Sequence, residues 1–130
     1  MIYLDTSVAL AQLLGEDRHP PAGLWEEDLL ASRLLEYELW NAIRRHRLER
    51  SHGEAARHLL ESLAFAELIP EVLSRATEPF PAPVRTLDAI HLATIVFFRD
   101  RGLDLHLASY DRRLLTAATA MKIPIAELDV

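Results

Sequence analysis

The chain has 130 residues, half of them hydrophobic, with a formal net charge of −6 and no cysteine. That is the size of one domain with enough apolar material for a real core, which excludes a disordered chain. The missing cysteines exclude disulfides, thiol nucleophiles, iron–sulfur clusters and cysteine zinc sites, and the acidic balance argues against a general nucleic-acid coat protein.

The first four residues, MIYL, form a short apolar run that reads as a strand. Asp5-Thr6-Ser7 then reads as a helix cap, with a helix from Val8 that stops near Gly15. His19-Pro20-Pro21 breaks the chain again, and Leu29-Leu30-Ala31 is a second strand ending at Ser32. Leu35, Leu39, Ala42 and Ile43 have helical spacing and predict a helix over 33–49. Gly53 is read as an interruption, followed by a helix over 54–65 through Ala56, Leu59, Leu60 and Leu63. Leu68-Ile69 is predicted as a third strand, residues 71–78 as a helical turn or two, and Pro79, Pro81 and Pro83 as an extended connection. A long apolar helix over about 87–101 ends at Gly102. LHLAS, residues 105–109, is a strand, and Asp111 opens a helix over 112–121. Ile123-Pro124-Ile125-Ala126 is a candidate edge strand, where proline is tolerated.

No repeat or linker divides the chain, so residues 1–130 are read as a single domain. Short apolar strands alternating with helices indicate an α/β fold, with a parallel sheet covered by helices on both faces. In such sheets ligands bind beyond the carboxyl ends of the strands. MIYLDTS has no basic stretch ahead of its apolar run and does not read as a signal peptide. No apolar run approaches the ~18 residues of a membrane span, so no membrane association and a cytoplasmic location are expected.

Four acids carry the functional reading. Asp5 directly follows the first strand and Asp111 closely follows LHLAS, so both belong at strand carboxyl ends. Asp88 stands in the first turn of the long apolar helix, an unusual place for a charge unless it is paired or binds a metal. Either Glu36 or Glu38 can face the same region, but not both, since residues two apart on a helix point in nearly opposite directions. Each acid alone also has a plainer explanation. Asp5 and Asp111 suit helix N-caps, Asp88 suits the positive end of a helix, and a glutamate on a helix is usually solvated. If the four converge, their charges repel unless a hard divalent cation joins them. Such a centre suits phosphodiester hydrolysis.

Four segments together carry a resemblance: MIYLDTSVAL at the start, SRLLEYELWNAIRR from Ser32, RTLDAIHLAT from Arg85 and LASYDRRLLTAA from Leu107. In this order they resemble the PIN-domain nucleases, and within them the VapC-type toxins of bacterial toxin–antitoxin pairs. The resemblance covers essentially the whole chain. It implies a three-layer α/β/α sandwich with a central, mainly parallel sheet of four to five short strands. It also implies an endoribonuclease that depends on one or two Mg²⁺ or Mn²⁺ ions. Asp5, Glu38, Asp88 and Asp111 match the family's four acids, which selects Glu38 over Glu36. Thr6, Ser7 and Ser109 match small hydroxyl positions that support the acids, Ser109 standing where many members have threonine. His91, one turn beyond Asp88, reads as a structural histidine beside the site. The resemblance further implies a structured RNA substrate of the tRNA or rRNA class, a small cognate antitoxin that blocks the cleft, and a homodimer.

Other features are weighed against this reading. Arg112 and Arg113, beside Asp111, are candidate RNA contacts. Arg44 and Arg45, in a basic stretch that continues to Arg50, are weaker candidates, because cations also suit a helix C-terminus. Without the four acids the net charge is −2, from 14 cations and 16 remaining acids, so a metal-filled site is compatible with RNA. Trp25 and Trp40 suit either the core or an exposed partner patch. No histidine pair has zinc spacing, and no Walker, G-x-G-x-x-G or G-x-S-x-G motif is present. The alternative to a nuclease is a non-catalytic PIN-fold module that binds a protein or RNA. A DNA-processing PIN nuclease would share the same metal chemistry.

Overall fold

A computed structural model describes residues 1–15 and 17–128. Four strands, β1 (Ile2–Leu4), β2 (Leu29–Ser32), β3 (Ala64–Ala66) and β4 (His106–Ala108), form one parallel sheet in the order β3-β2-β1-β4. The helices are α1 (Thr6–Leu14), α2 (Arg33–Arg45), α3 (Glu49–Glu61), α4 (Pro70–Ala76), α5 (Thr86–Arg99) and α6 (Arg112–Ala120), with a 3-10 turn over Ala22–Glu26. Among the described residues, no helix is long and apolar enough to cross a membrane.

Alternation along the strands divides the core into two layers. Leu4, Leu29, Ala31 and Ala108 pack with Val8, Leu35, Leu39, Ile43 and Leu59 from α1, α2 and α3. Tyr3, Leu30, Ala66 and Leu107 face the other way, onto Leu92, Ile95, Leu114 and Ala117 from α5 and α6. This is the expected three-layer α/β/α sandwich. Both sheet faces are buried, which is why the strands read as unbroken apolar runs.

The chain leaves β1 toward β2 and β3 on one side and returns to β4 on the other. The reversal lies between β1 and β4, where the crevice of an open parallel sheet forms. The backbone is joined there by Asp5 N–H donating to the Ala108 carbonyl at 3.0 Å.

Several boundaries differ from the sequence expectations. The helix expected over 33–49 ends at Arg45, and Arg47 makes the turn in the left-handed region, at φ 56°. Gly53 does not interrupt; it is buried within α3, against the Trp40 ring. Apolar packing of Ala56, Leu59 and Leu60 on the core outweighs one glycine's poor helix propensity. The third strand is Ala64–Ala66, not Leu68-Ile69, because Ile69 caps α4 and Pro70 occupies its first position. The segment at Ile123–Ala126 contributes a single parallel bridge, Leu107 to Ile125. Two hydrogen bonds of 2.8 Å hold it, Leu107 N–H to Pro124 and Ala126 N–H to Leu107. Trp25 and Trp40 are half-buried against the α1–α3 layer, with Trp40 flanked by Arg44 and Arg57 at 5.9 and 5.6 Å.

Candidate metal centre

The carboxyl edge of the sheet at β1 and β4 gathers the acids. Asp5 leaves β1 as the N-cap of α1 and is 6% exposed. Its Oδ2 accepts from Ser7 Oγ at 2.6 Å, Ser109 Oγ at 2.8 Å and Ser7 N–H at 3.3 Å. Its Oδ1 lies 3.9 Å from His91 Nε2. Thr6 supports the site differently: its hydroxyl donates to Glu38 Oε1 at 2.8 Å. Ser109 also accepts from Asp111 N–H at 2.9 Å, and Ser7 accepts from Tyr110 N–H at 2.9 Å. Ser7 and Ser109 thus stitch the segments after β1 and β4 together while binding Asp5, and Thr6 ties α1 to Glu38 on α2.

Asp88 is 8% exposed in the first turn of α5, its Oδ2 accepting from Arg85 N–H at 3.3 Å. Burial pushes its carboxyl above the ordinary range, against the pull of that N–H group. The charges of Asp111 and Asp5 push the same way, and His91 opposes them. Asp88 therefore senses two further acids of the set. Asp111 caps α6 through its Oδ1, which accepts from Arg113 N–H at 3.0 Å and Leu114 N–H at 3.4 Å. Asp5 and Asp111 are both helix N-caps, and that position leaves each carboxyl at the carboxyl edge of the sheet.

Glu38 and Glu36 part company on α2. Glu36 bonds Arg33 at 3.0 Å on the surface, where Arg33 also holds Glu67 at 2.7 Å. Glu38 turns inward, to Thr6 and to His91 Nε2 at 2.9 Å. His91 is buried and bonded at both ring nitrogens, so it is the satisfied histidine expected beside the site. Burial alone would lower its basicity. The Glu38 hydrogen bond and the charges of Asp5, Glu38 and Asp88 outweigh that, and it ends above the ordinary histidine value.

Glu38, Asp88 and Asp111 line one open cleft of about 680 Å³. Arg112 and Arg113 line it from the start of α6 and Arg85 from the residue before α5. Arg85 is not legible as a site residue in the sequence, since its only signal there is proximity to Asp88. Arg45 lines a separate groove that runs past Ser7 to Asp111, whereas Arg44 packs over Trp40 and lines neither cavity. The donor set facing the cleft is all carboxylate oxygen, which fits a hard divalent cation. Among the described residues, no three His, Asp or Glu side chains stand close enough to enclose an ion alone. An ion held by these carboxylates would have to keep part of its water shell, as Mg²⁺ ordinarily does.

The PIN-domain family model matches residues 2–120. The chain belongs to the PIN-domain family. It is 34% identical over 123 residues to Ribonuclease VapC47 of Mycobacterium tuberculosis, covering 89% of this chain and 88% of that relative. Among solved structures, it is similar to a toxin–antitoxin complex from Klebsiella pneumoniae, with a TM-score of 0.67 and 14% identity over 99% of this chain and 98% of that one. The sarcin–ricin-loop-cleaving toxin VapC20 of M. tuberculosis gives a TM-score of 0.65 and 19% identity, over 90% and 95% of the two chains. At those identities the solved structures speak for the PIN fold, and the VapC47 match carries the kinship of sequence.

Proposed function

We propose that this PIN-domain protein is a divalent-metal-dependent endoribonuclease and the toxin of a toxin–antitoxin pair. One observation carries the proposal: Glu38, Asp88 and Asp111, from three separate elements, line one cleft, with buried Asp5 linked to Glu38 through His91, in a chain 34% identical to a VapC ribonuclease. Asp5, Glu38, Asp88 and Asp111 would hold one or two Mg²⁺ or Mn²⁺ ions, directly or through water. Such an ion, when bound, supplies Lewis-acid polarisation of a phosphodiester and acidifies water for the attack.

The chain's own residues do the rest. Ser7 and Ser109 hold Asp5, and Thr6 holds Glu38, so the acids are in place before the substrate arrives. Arg85, Arg112 and Arg113 present cations around the cleft mouth, where flanking phosphates of an RNA strand would lie. Arg45 extends this along the neighbouring groove. The substrate class is a structured RNA, tRNA or rRNA. The partner is a small antitoxin covering the cleft, and the working form is a homodimer in the cytoplasm. Mutually repelling carboxylates serve no purpose in a non-catalytic binding module, which favours the nuclease.

The test is cleavage of total tRNA and rRNA by antitoxin-free protein with Mg²⁺, with Mn²⁺ and with EDTA, beside Asp88→Asn. Discrete products that require metal and vanish in the variant are expected. Cleavage that persists in EDTA, or in an Asp5→Ala, Asp88→Ala double variant, would remove this active site. A small DNA-binding protein encoded next to the gene is the expected partner.

A further inference from the structure

His91 is 2% exposed, and both of its ring nitrogens are engaged. Nε2 lies 2.9 Å from Glu38 Oε1, and Nδ1 lies 2.7 Å from the Tyr3 hydroxyl. An ionised carboxylate only accepts hydrogen bonds, so the Nε2 proton points at Glu38. Nε2 then has no lone pair for a metal, and Nδ1 faces away from the cleft into β1. His91 is therefore not a ligand. Tyr3 is fully buried in β1 and meets the imidazole edge-on, at 5.9 Å between ring centroids and 76° between planes. The ring is thus fixed by packing as well as by its hydrogen bonds.

The consequence falls on Glu38. Its Oε1 receives two donors, Thr6 Oγ1 at 2.8 Å and His91 Nε2 at 2.9 Å. Among the described residues nothing donates to Oε2. Glu38 also lacks what the other acids have. Asp5, Asp88 and Asp111 each accept from a backbone N–H group at a helix start, while Glu38 sits inside α2, where backbone N–H groups are committed to the helix. A glutamate with three side-chain rotors does not hold one orientation without help. We propose that His91, braced by Tyr3, is a positioning residue that clamps one oxygen of Glu38 and presents the other to the cation in the cleft. This rests on the metal-centre reading above.

The probe is Mn²⁺ alone, titrated into the full chain free of partner and RNA and followed by electron paramagnetic resonance. Thermal melts of each variant run alongside. His91→Leu should weaken Mn²⁺ binding by about 10–100-fold, the usual effect of removing a group that orients a ligand. His91→Gln, whose amide returns an N–H near the Nε2 position, should recover to within roughly threefold of wild type. Tyr3→Phe keeps the ring packing, loses the brace and should fall between them. Equal losses in His91→Leu and His91→Gln would mean that packing, not the donor, matters, and would overturn the proposal. So would wild-type affinity in His91→Leu. If His91→Leu does not fold, Tyr3→Phe decides, and unchanged affinity there overturns the brace. Glu38→Gln distinguishes the clamp from the metal centre itself. Weak binding in Glu38→Gln beside wild-type binding in His91→Leu removes the clamp and leaves the metal centre. No Mn²⁺ binding by wild type removes the metal centre and the clamp with it.

Discussion

Ser109→Ala is the smallest change that should unsettle the whole centre. Ser109 is 4% exposed, and its hydroxyl works in two directions. It donates to Asp5 Oδ2 at 2.8 Å and accepts from Asp111 N–H at 2.9 Å. Deleting it removes one hydrogen bond to a buried charge, worth about 1.5–3 kcal/mol. It also leaves the Asp111 N–H group without its acceptor, which costs about 1 kcal/mol more where water reaches only in part. Asp5 keeps both donors from Ser7, so the lower part of the sum applies, about 2.5–3 kcal/mol. For a chain of this size that lowers the melting temperature by roughly 6–15 °C. Ser109→Thr retains the hydroxyl but adds a buried methyl group, which can itself cost about 1–3 kcal/mol, so its decisive readout is metal binding rather than stability. The assay is urea unfolding in EDTA, followed by Mn²⁺ titration of the folded variants. Ser109→Ala should also weaken Mn²⁺ binding about tenfold or more, while Ser109→Thr should not. If Ser109→Ala unfolds within about 0.5 kcal/mol of wild type and binds Mn²⁺ equally well, the hydroxyl does not hold Asp5 and the reasoning fails.

The two glutamates of α2 give a sharp contrast in a cleavage assay: Glu38→Gln should lose about a hundredfold or more in rate, and Glu36→Gln should stay within roughly twofold, since its surface pair with Arg33 is screened by water. Asp88→Asn should change how the metal-free protein responds to pH. With its folded pKa raised above the ordinary 3.8, Asp88 contributes stability that is fully present below the unfolded value and is lost as pH rises through the folded one. Urea melts in EDTA should therefore show the variant more stable than wild type near neutrality, with no gain at about pH 3. An Arg112→Ala, Arg113→Ala double variant should bind RNA more weakly. A plot of log affinity against log salt should also become shallower, by about 0.7 for each phosphate that is no longer neutralised. Leu92→Ala, at a fully buried position between the sheet and α5, should cost about 2–5 kcal/mol in urea unfolding while the folded fraction still cleaves.

What is legible in the sequence follows from what each signal depends on. Asp5, Asp111 and the strand before each can be read because strand, acid and helix are adjacent in the chain. That the site lies beyond the strand carboxyl ends follows from the general rule for parallel sheets, whereas the strand order and the crevice between β1 and β4 come only from the structure. Gly53 misleads because its local propensity says nothing of the packing that overrides it. The third strand is hard to place because Ala64-Phe65-Ala66 is weakly apolar, whereas Leu68-Ile69 looks like a strand but serves as a helix cap. The choice of Glu38 over Glu36 needs family resemblance, because helical geometry says that the two diverge but not which one faces inward. The Tyr3–His91 hydrogen bond spans 88 residues, and nothing local announces it. Arg85 escapes notice for a similar reason: its neighbours in the cleft, Arg112 and Arg113, come from the far end of the sequence.

The helix-cap reading of the acids, a rival to the functional one in the sequence, is compatible with it in the structure. Asp5, Asp88 and Asp111 stand at the starts of α1, α5 and α6, where free N–H groups and the positive ends of three helices offset part of their mutual repulsion. Helix starts therefore bring the carboxylates to one edge and make their approach tolerable before any cation binds. The offset is incomplete: burial first, and then the charges of Asp111 and Asp5, push the Asp88 carboxyl up, and a divalent ion in the cleft would relieve both. Glu38 is the exception that clarifies the rule. It arrives from the middle of a helix with no N–H groups to spare, and it is the one acid of the four hydrogen-bonded to a buried histidine. The fold supplies each acid with donors from the nearest source. For Asp88 and Asp111 that source is the backbone, for Asp5 it is the Ser7 and Ser109 hydroxyls with one backbone N–H, and for Glu38 it is Thr6 and His91.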